Sequence, residues 1–430
     1  MSQEDTGKDG DAPQVVPQIA APLSRLPARS VIISSSKREL RLFMVAGEHS
    51  GDALGGRLMS AINTQARGRV RYLGVGGDDM RAHGLISQFP LSDVAVMGPA
   101  AIVKVLPRLI RRVYRTVDAA VAAQPDAVVI IDAPEFTHPI AKRIRQKLPN
   151  VPIINYVSPS VWGWRPKRAK RMRAYVDHVL ALLPFEPEVH VRLGGPPCTY
   201  VGHPLIERID QIHASDATSL RARLAVAPDQ PVLVVLPGSR RSEVERLMQP
   251  FGEAVTLLRE KGINPVVIIP VVPHVRDLVE RLLRSWPVTP YLLEGEDDKF
   301  RAFKLATAAL AASGTVTLEL ALAGTPMVVG YKVDALAAKF RFLMKVQSIV
   351  LANLVLGENA FPEFKQEDCT GPRLAEALLP LLHNSEARAR QIKALGLVPE
   401  KLRLAIDPSE AAADIVLAYA DGGRGATLKI

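Results

Sequence analysis

Eight short runs of β-branched and aliphatic residues, each followed by a stretch with helical patterning, constrain this chain more than any other feature. "LRLFMVAG", "VRYLGVGG", "DAVVIIDAP" and "VPIINYVSP" lie in the first half, and "PVLVVLPGS", "NPVVIIPVV", "AALAASG" and "TPMVVGYKV" in the second. Continuous apolar character, rather than alternation, implies burial on both faces, the condition of parallel strands covered by helices. At 430 residues the chain is long for one core, so the runs divide between two α/β domains.

Each half is therefore expected to be a Rossmann-like unit, the first over 39–205 and the second over 206–385. The joint falls near "YVGHPLIERID" at 200–210, where a Gly-His-Pro turn precedes a polar stretch. A mobile tail without a signal peptide is expected over 1–38, and a helical segment and tail over 386–430. Charged residues at 23% and hydrophobic ones at 48% are a normal globular balance, which points to a soluble body. Cys198 and Cys369 stand far apart, which supports neither a disulfide framework nor a zinc site and fits a reducing compartment. The weakly charged stretch 305–331 could span a bilayer by length, but Ser313, Gly314, Thr315, Thr317 and Glu319 in its middle favour a buried strand, turn and helix. A net charge of +10 predicts attraction to phosphate-rich surfaces, whether lipid, nucleic acid or nucleotide.

Ligands of open α/β sheets bind beyond the carboxyl ends of the strands, so the residues there are the candidates. After the first run come Gly47, Glu48, His49, Ser50, Gly51 and Asp52. This turn lacks the spacing of a dinucleotide fingerprint. Its glycines at 47, 51, 55 and 56 are explained by close packing of helix on strand, and Asp52 by capping the following helix, but Glu48 has no such structural reason to be there. Asp132 ends a strongly apolar run and is either satisfied by turn amides or chemically employed; chemistry is favoured. In the second half, "LPGSRRSEVE" opens a helix, so the amides of Gly238, Ser239 and Arg240 suit a diphosphate, with Arg240 as a bidentate donor. Gly314 and Thr315 repeat the arrangement. Glu319, in the next helix, either accepts both hydroxyls of a ribose or pairs with a basic neighbour, and the ribose is favoured.

Two basic stretches remain. "RPKRAKRMRAY" and "VKVLPRLIRRVYR" lack the aromatic pairs or motifs of nucleic-acid readers. In the second, Val103, Leu106, Leu109, Ile110 and Val113 recur at helical spacing while Lys104, Arg108, Arg111, Arg112 and Arg115 take other positions. That pattern suits a solvated helix face or a helix lying on an anionic membrane.

Taken in order, "AGEHSGD", "GVGGDDM", "VMGPAAIVKVLPRL", "IDAPEF", "YVSPSVWGWRPKR", "LPFEPE", "VGHPL", "LPGSRRSEVE", "SGTVTLELALAGTPMVVGYK" and "LANLVLGENAFPEFKQ" resemble the lipid-A-disaccharide synthase family of GT-B glycosyltransferases. The resemblance runs from Leu40 to about Pro380. It implies transfer of 2,3-diacylglucosamine from UDP-2,3-diacylglucosamine to the 6-hydroxyl of 2,3-diacylglucosamine 1-phosphate. The products are a β-1,6-linked disaccharide and UDP, with inversion and with neither metal nor cofactor. It further implies Asp132 as general base, Glu48 and Ser50 in the active-site turn, Arg240, Glu319 and Asn353 on the UDP side, and Ser158 among the substrate contacts. The expected setting is the cytoplasmic face of the inner membrane, peripherally bound, with no nucleic-acid partner and a homodimer left open. Glu135 replaces the usual aspartate, Pro99 to Ala101 looks inserted, and Lys104 stands where an acid is common. The alternatives are another UDP-sugar transferase or epimerase of this architecture, such as the one adding N-acetylglucosamine to the peptidoglycan lipid precursor, and a non-catalytic basic module that binds lipid or nucleic acid without releasing UDP.

Overall fold

A computed structural model describes residues 38–94, 99–333 and 348–426, with side chains of the helix that begins at Pro99 described from Leu106 onward. The expected tail up to residue 37, the side chains of the Pro99–Ala101 insertion, and those of Val103 and Lys104 lie outside the described residues.

All eight apolar runs are strands. The first four are β1 (Leu40–Ala46), β2 (Val70–Val75), β4 (Ala127–Ile131) and β5 (Ile153–Tyr156). Short strands join them: β3 (Leu85–Ser87), β6 (His178–Ala181) and β7 (Cys198–Tyr200). Every pairing is parallel and the order is β3-β2-β1-β4-β5-β6-β7. The second sheet holds β8 (Val232–Leu236), β9 (Val266–Pro270), β10 (Tyr291–Leu293), β11 (Ala308–Ala312), β12 (Met327–Tyr331) and β13 (Glu363–Lys365) in the order β10-β9-β8-β11-β12-β13, again all parallel. Both are the doubly wound Rossmann order, which reverses between the first and fourth strands of each unit. The stretch 305–331 is the buried strand, turn and helix that its polar residues imply.

Each sheet is buried between helical layers. On one face of the first, Leu42, Met44, Val129 and Ile131 meet α1 (His49–Gln65); on the other, Phe43, Val45, Val128 and Ile130 meet α3 (Pro99–Ala123) and α4 (Pro134–Lys147), with α2 (Asp78–Ala82) between α1 and β3. Packing changes sides within four residues: Val201 belongs to the first core and Leu205 to the second. The segment after 385 serves both units. The helix Glu386–Leu402 buries Leu395 and Val398 in the second core, whereas Pro408–Gly422 crosses back to bury Ile415, Val416 and Tyr419 against the first. Tyr200, donating to the Leu402 carbonyl, and Ser409, donating to Glu207, tie the returning chain in place.

Candidate active site

The residues after β1 and β4 converge because these strands are neighbours at the point where the winding reverses. Gly47 makes this approach feasible: a Cβ there would stand 2.5 Å from the Cβ of Ala133. Glu48 and Ser50 thereby come beside Asp132, and the Ser50 hydroxyl donates to Asp132 Oδ2 at 3.4 Å. Asp132 and Ala133 both adopt left-handed backbone, at φ of 51° and 41°. Such conformations cost about 1–3 kcal/mol each in non-glycine residues and persist where the surroundings impose them, commonly at functional sites. Here the Thr137 hydroxyl donates to the Asp132 carbonyl at 2.7 Å, and the Asp132 amide donates to the Tyr156 carbonyl at 3.0 Å. The strand thus ends in a fixed kink that leaves Asp132 half-buried.

Glu48 is half-buried, and its carboxyl is held above its ordinary value by desolvation and by the charge of Asp132, against the pull of Arg240 from the second domain. These three groups therefore share one electrostatic neighbourhood across the cleft. Asp52 does something different from the expected capping of its own helix. It sits inside α1, buried, and accepts the amides of Gly77, Asp79 and Met80 at 2.7–3.2 Å. It caps α2 instead, which locks the first two strand-to-helix turns together.

The second reversal point, between β8 and β11, opens into a cavity of about 560 Å³. Gly238, Ser239, Arg240, Gly314, Thr315 and Glu319 all line it. The chain turns through Gly238 at φ 107°, where any side chain would also strike Glu243. Arg240 precedes the 20-residue helix Arg241–Glu260. Glu243 accepts from the Arg240 amide at 3.2 Å and from its Nη1 at 2.9 Å, while the arginine side chain stays 62% exposed. The helix N-terminus and a guanidinium thus face the same space. Across the cavity, Lys299 Nζ donates to both oxygens of Glu319 at 2.9 and 3.0 Å. Of the two readings open for Glu319, the basic neighbour is present, and the carboxylate still borders the cavity.

Two expected contacts lie elsewhere. Asn353 is buried, its amide nitrogen donating to Ser348 Oγ and the Phe361 carbonyl and its oxygen accepting from the Phe361 amide. With its bonding capacity spent on the segment 348–361, it shapes that segment instead of lining the cavity. Ser158 is buried as well, 2.9 Å from His190 Nε2. Sequence reasoning missed Val271, Val272 and Pro273 after β9, and Gly295, Glu296 and Lys299 after β10, which complete the wall. The strand-end rule applied to "VVIIPVVPH" would have found the first group.

The helix α3 also corrects an expectation. Val113 is buried and Leu109 packs beside it on the first core, so they do not belong to an outward stripe. Arg112 pairs with Asp93 and lies over the ring of Phe89. The outward apolar stripe is Leu106, Ile110 and Tyr114, all at least 45% exposed and four residues apart. Among the described residues no helix is long and apolar enough to cross a membrane.

Two doubly wound parallel sheets with their reversal points facing one cleft define the GT-B architecture of glycosyltransferases and sugar-nucleotide epimerases. Solved structures share it at low identity: a Staphylococcus aureus MnaA–UDP structure (TM-score 0.59, 13% identity, covering 88% of this chain and 95% of that one) and Acinetobacter baumannii MurG (TM-score 0.53, 13% identity, 88% and 99%). The chain belongs to the lipid-A-disaccharide synthase family, whose model, described as lipid-A-disaccharide synthetase, matches residues 42–415. Relatives named lipid-A-disaccharide synthase from Rhodopseudomonas palustris (strain HaA2) and Nitrobacter winogradskyi are 51% and 50% identical to it, over 88% and 89% of this chain and 95% and 96% of theirs. The enzyme is accordingly a glycosyltransferase.

Proposed function

We propose that the enzyme moves 2,3-diacylglucosamine from UDP-2,3-diacylglucosamine to the 6-hydroxyl of 2,3-diacylglucosamine 1-phosphate by a single inverting displacement. The observation that carries the reading is the facing of two unlike groups of residues: carboxylates at the first reversal point, and a helix N-terminus with Arg240 at the second. The acceptor oxygen forms a bond to the anomeric carbon as the bond from that carbon to the β-phosphate oxygen breaks. The hydroxyl proton passes to Asp132, and the electron pair leaves with UDP. General base catalysis requires the carboxylate within hydrogen-bond reach of the hydroxyl, and the fixed kink at Asp132 aims it into the cleft. Ser50 keeps one oxygen engaged.

Charge that develops on the leaving diphosphate meets the amides after Gly238, the dipole of the Arg241–Glu260 helix and the Arg240 guanidinium, all oriented in advance. Glu319 takes the ribose hydroxyls, with Lys299 holding it in position. Asn353 acts through the segment that it ties together.

Both substrates carry acyl chains, so the cleft opens at a membrane. The Leu106, Ile110 and Tyr114 stripe, flanked by Arg108, Arg111 and Arg115, is the contact with the anionic cytoplasmic face of the inner membrane. Product analysis tests the reading. Incubation with the acylated donor and acceptor should give a β-1,6-linked disaccharide by mass and NMR, and unacylated UDP-N-acetylglucosamine should not replace the donor. A 2-epimerised sugar nucleotide, or equal use of both donors, would assign the chain another activity.

A further inference from the structure

A second and larger cavity, of about 1080 Å³, lies on the first domain and has no part in the donor pocket. One side of α4 forms a wall, from Pro134 through His138 to Lys142, and the chain from Trp164 to Arg171 forms the other. This is where the basic stretch "RPKRAKRMRAY" goes. Six cations line the cavity, Lys142, Arg143, Arg165, Lys167, Arg168 and Arg171, against one carboxylate, Glu135.

The arrangement is organised. One oxygen of Glu135 accepts from both Arg165, at 3.2 Å, and Arg168, at 2.6 Å, so two guanidinium groups converge on the same edge. Lys142, Lys167 and Arg171 make no ion pair with a carboxylate among the described residues. The floor is uncharged scaffolding: His138 Nδ1 lies 3.0 Å from the Tyr175 hydroxyl and Nε2 lies 3.1 Å from Asn155 Oδ1. At the rim the indole of Trp164 is 40% exposed, with Arg165 5.5 Å from its centre. An exposed indole on the rim of a groove lined by cations offers a flat apolar face to a sugar ring and charge to its phosphate.

Position decides which phosphate. The cavity starts at Pro134, two residues beyond Asp132, and runs along α4 away from it. The 6-hydroxyl and the anomeric phosphate are carried on the two ring carbons that flank the ring oxygen, a span comparable with one turn of helix, about 5.4 Å. An acceptor with its hydroxyl at Asp132 would place its phosphate one turn along α4. We infer that this groove binds the phosphate monoester of the acceptor, through Lys142, Lys167 and Arg171 with Arg165 and Arg168 held ready by Glu135, and so selects an acceptor phosphorylated at the anomeric carbon. The inference rests on the transferase reading and names how its second substrate is recognised.

The test is a double variant, Lys142→Ala with Arg171→Ala, at two exposed positions, assayed in detergent micelles under saturating donor. Two acceptors are compared: 2,3-diacylglucosamine 1-phosphate and the same sugar lacking the phosphate. The wild type should prefer the phosphorylated acceptor, and the variant should lose about tenfold or more of that preference in kcat/KM. UDP affinity by calorimetry should stay at the wild-type value. An unchanged preference, or an equal loss with both acceptors, overturns the phosphate assignment while leaving the transferase reading standing. A loss seen only when the acceptor is presented in anionic vesicles overturns it too, because the cations would then be reading a membrane surface. No turnover of either acceptor by the wild type would bring down the transferase reading itself.

Discussion

The hydroxyl of Ser50 donates to Asp132 Oδ2 across 3.4 Å, linking the turn after the first strand to the kink after the fourth. If Asp132 takes the acceptor's proton, Asp132→Asn keeps the shape and the Ser50 contact but loses the base. Turnover should fall by roughly 10²–10⁴-fold or more, with UDP affinity little altered. Steady-state kinetics beside calorimetry checks this. Near-normal turnover would transfer the role to Glu48, whose carboxyl is held above its ordinary value by burial and by the neighbouring charge of Asp132.

Arg240→Ala and Glu319→Ala should each weaken UDP binding, through the diphosphate and the ribose respectively. A charge-assisted hydrogen bond contributes roughly 1.5–3 kcal/mol, so a tenfold or larger loss is expected from each. Removing Arg240 also leaves Glu243, a buried carboxylate, without its guanidinium partner. Arg240→Lys should therefore recover stability more fully than affinity, since lysine keeps the charge without the planar fork. Calorimetric titration of UDP and thermal melts separate the two effects.

The exposed stripe on α3 predicts how the enzyme meets its lipids. Leu106→Asp with Ile110→Asp should abolish sedimentation with anionic vesicles while activity in detergent largely survives. Arg108→Glu with Arg111→Glu should do the same, and the parent's own sedimentation should weaken as salt is raised, because each cation near an anionic surface contributes about 1 kcal/mol and that attraction decays over a Debye length of about 8 Å. Arg112 is left out because Asp93 and Phe89 already engage it. Sedimentation of the double variants at the parent level would locate the contact on another surface.

Glu186 gives a pH signature. It is buried, accepting from Trp162 Nε1 at 3.2 Å and the Leu183 amide at 3.0 Å, and burial pushes its carboxyl up to about 8 from 4.5. The folded state therefore holds a proton that the unfolded chain releases near 4.5, and stability falls as pH rises from there through about 8. One pH unit between folded and unfolded values corresponds to about 1.4 kcal/mol. Glu186→Gln should remove this decline, so its melting temperature should exceed the parent's at pH 8.5 and match or fall below it at pH 4.5. A parent-like pH profile in the variant would mean that Glu186 ionises freely.

The two parallel sheets were legible because eight buried strands need continuous apolar runs, and each of these is bounded by turn residues and followed by a helical pattern. The strands that escaped notice, β3, β6, β7, β10 and β13, have three or four residues each, too few to carry a pattern. The donor turns were legible for a similar reason: a strand, a glycine and a helix start are all local. What could not be read was tertiary. Nothing near Asp52 shows that it will cap a helix 26 residues further on, and nothing near Asn353 shows that it will fold onto Phe361. Val113 looked like part of an outward stripe because helical spacing identifies a face without saying what it meets.

The claim that the two reversal points form one transferase site is tested most directly by acceptor-dependent UDP release. Purified enzyme is given UDP-2,3-diacylglucosamine in micelles, with and without 2,3-diacylglucosamine 1-phosphate, and UDP is followed against disaccharide. The account predicts one UDP per disaccharide formed, and almost none without acceptor. UDP released at the same rate in the absence of acceptor, or no UDP with both lipids present, would contradict it.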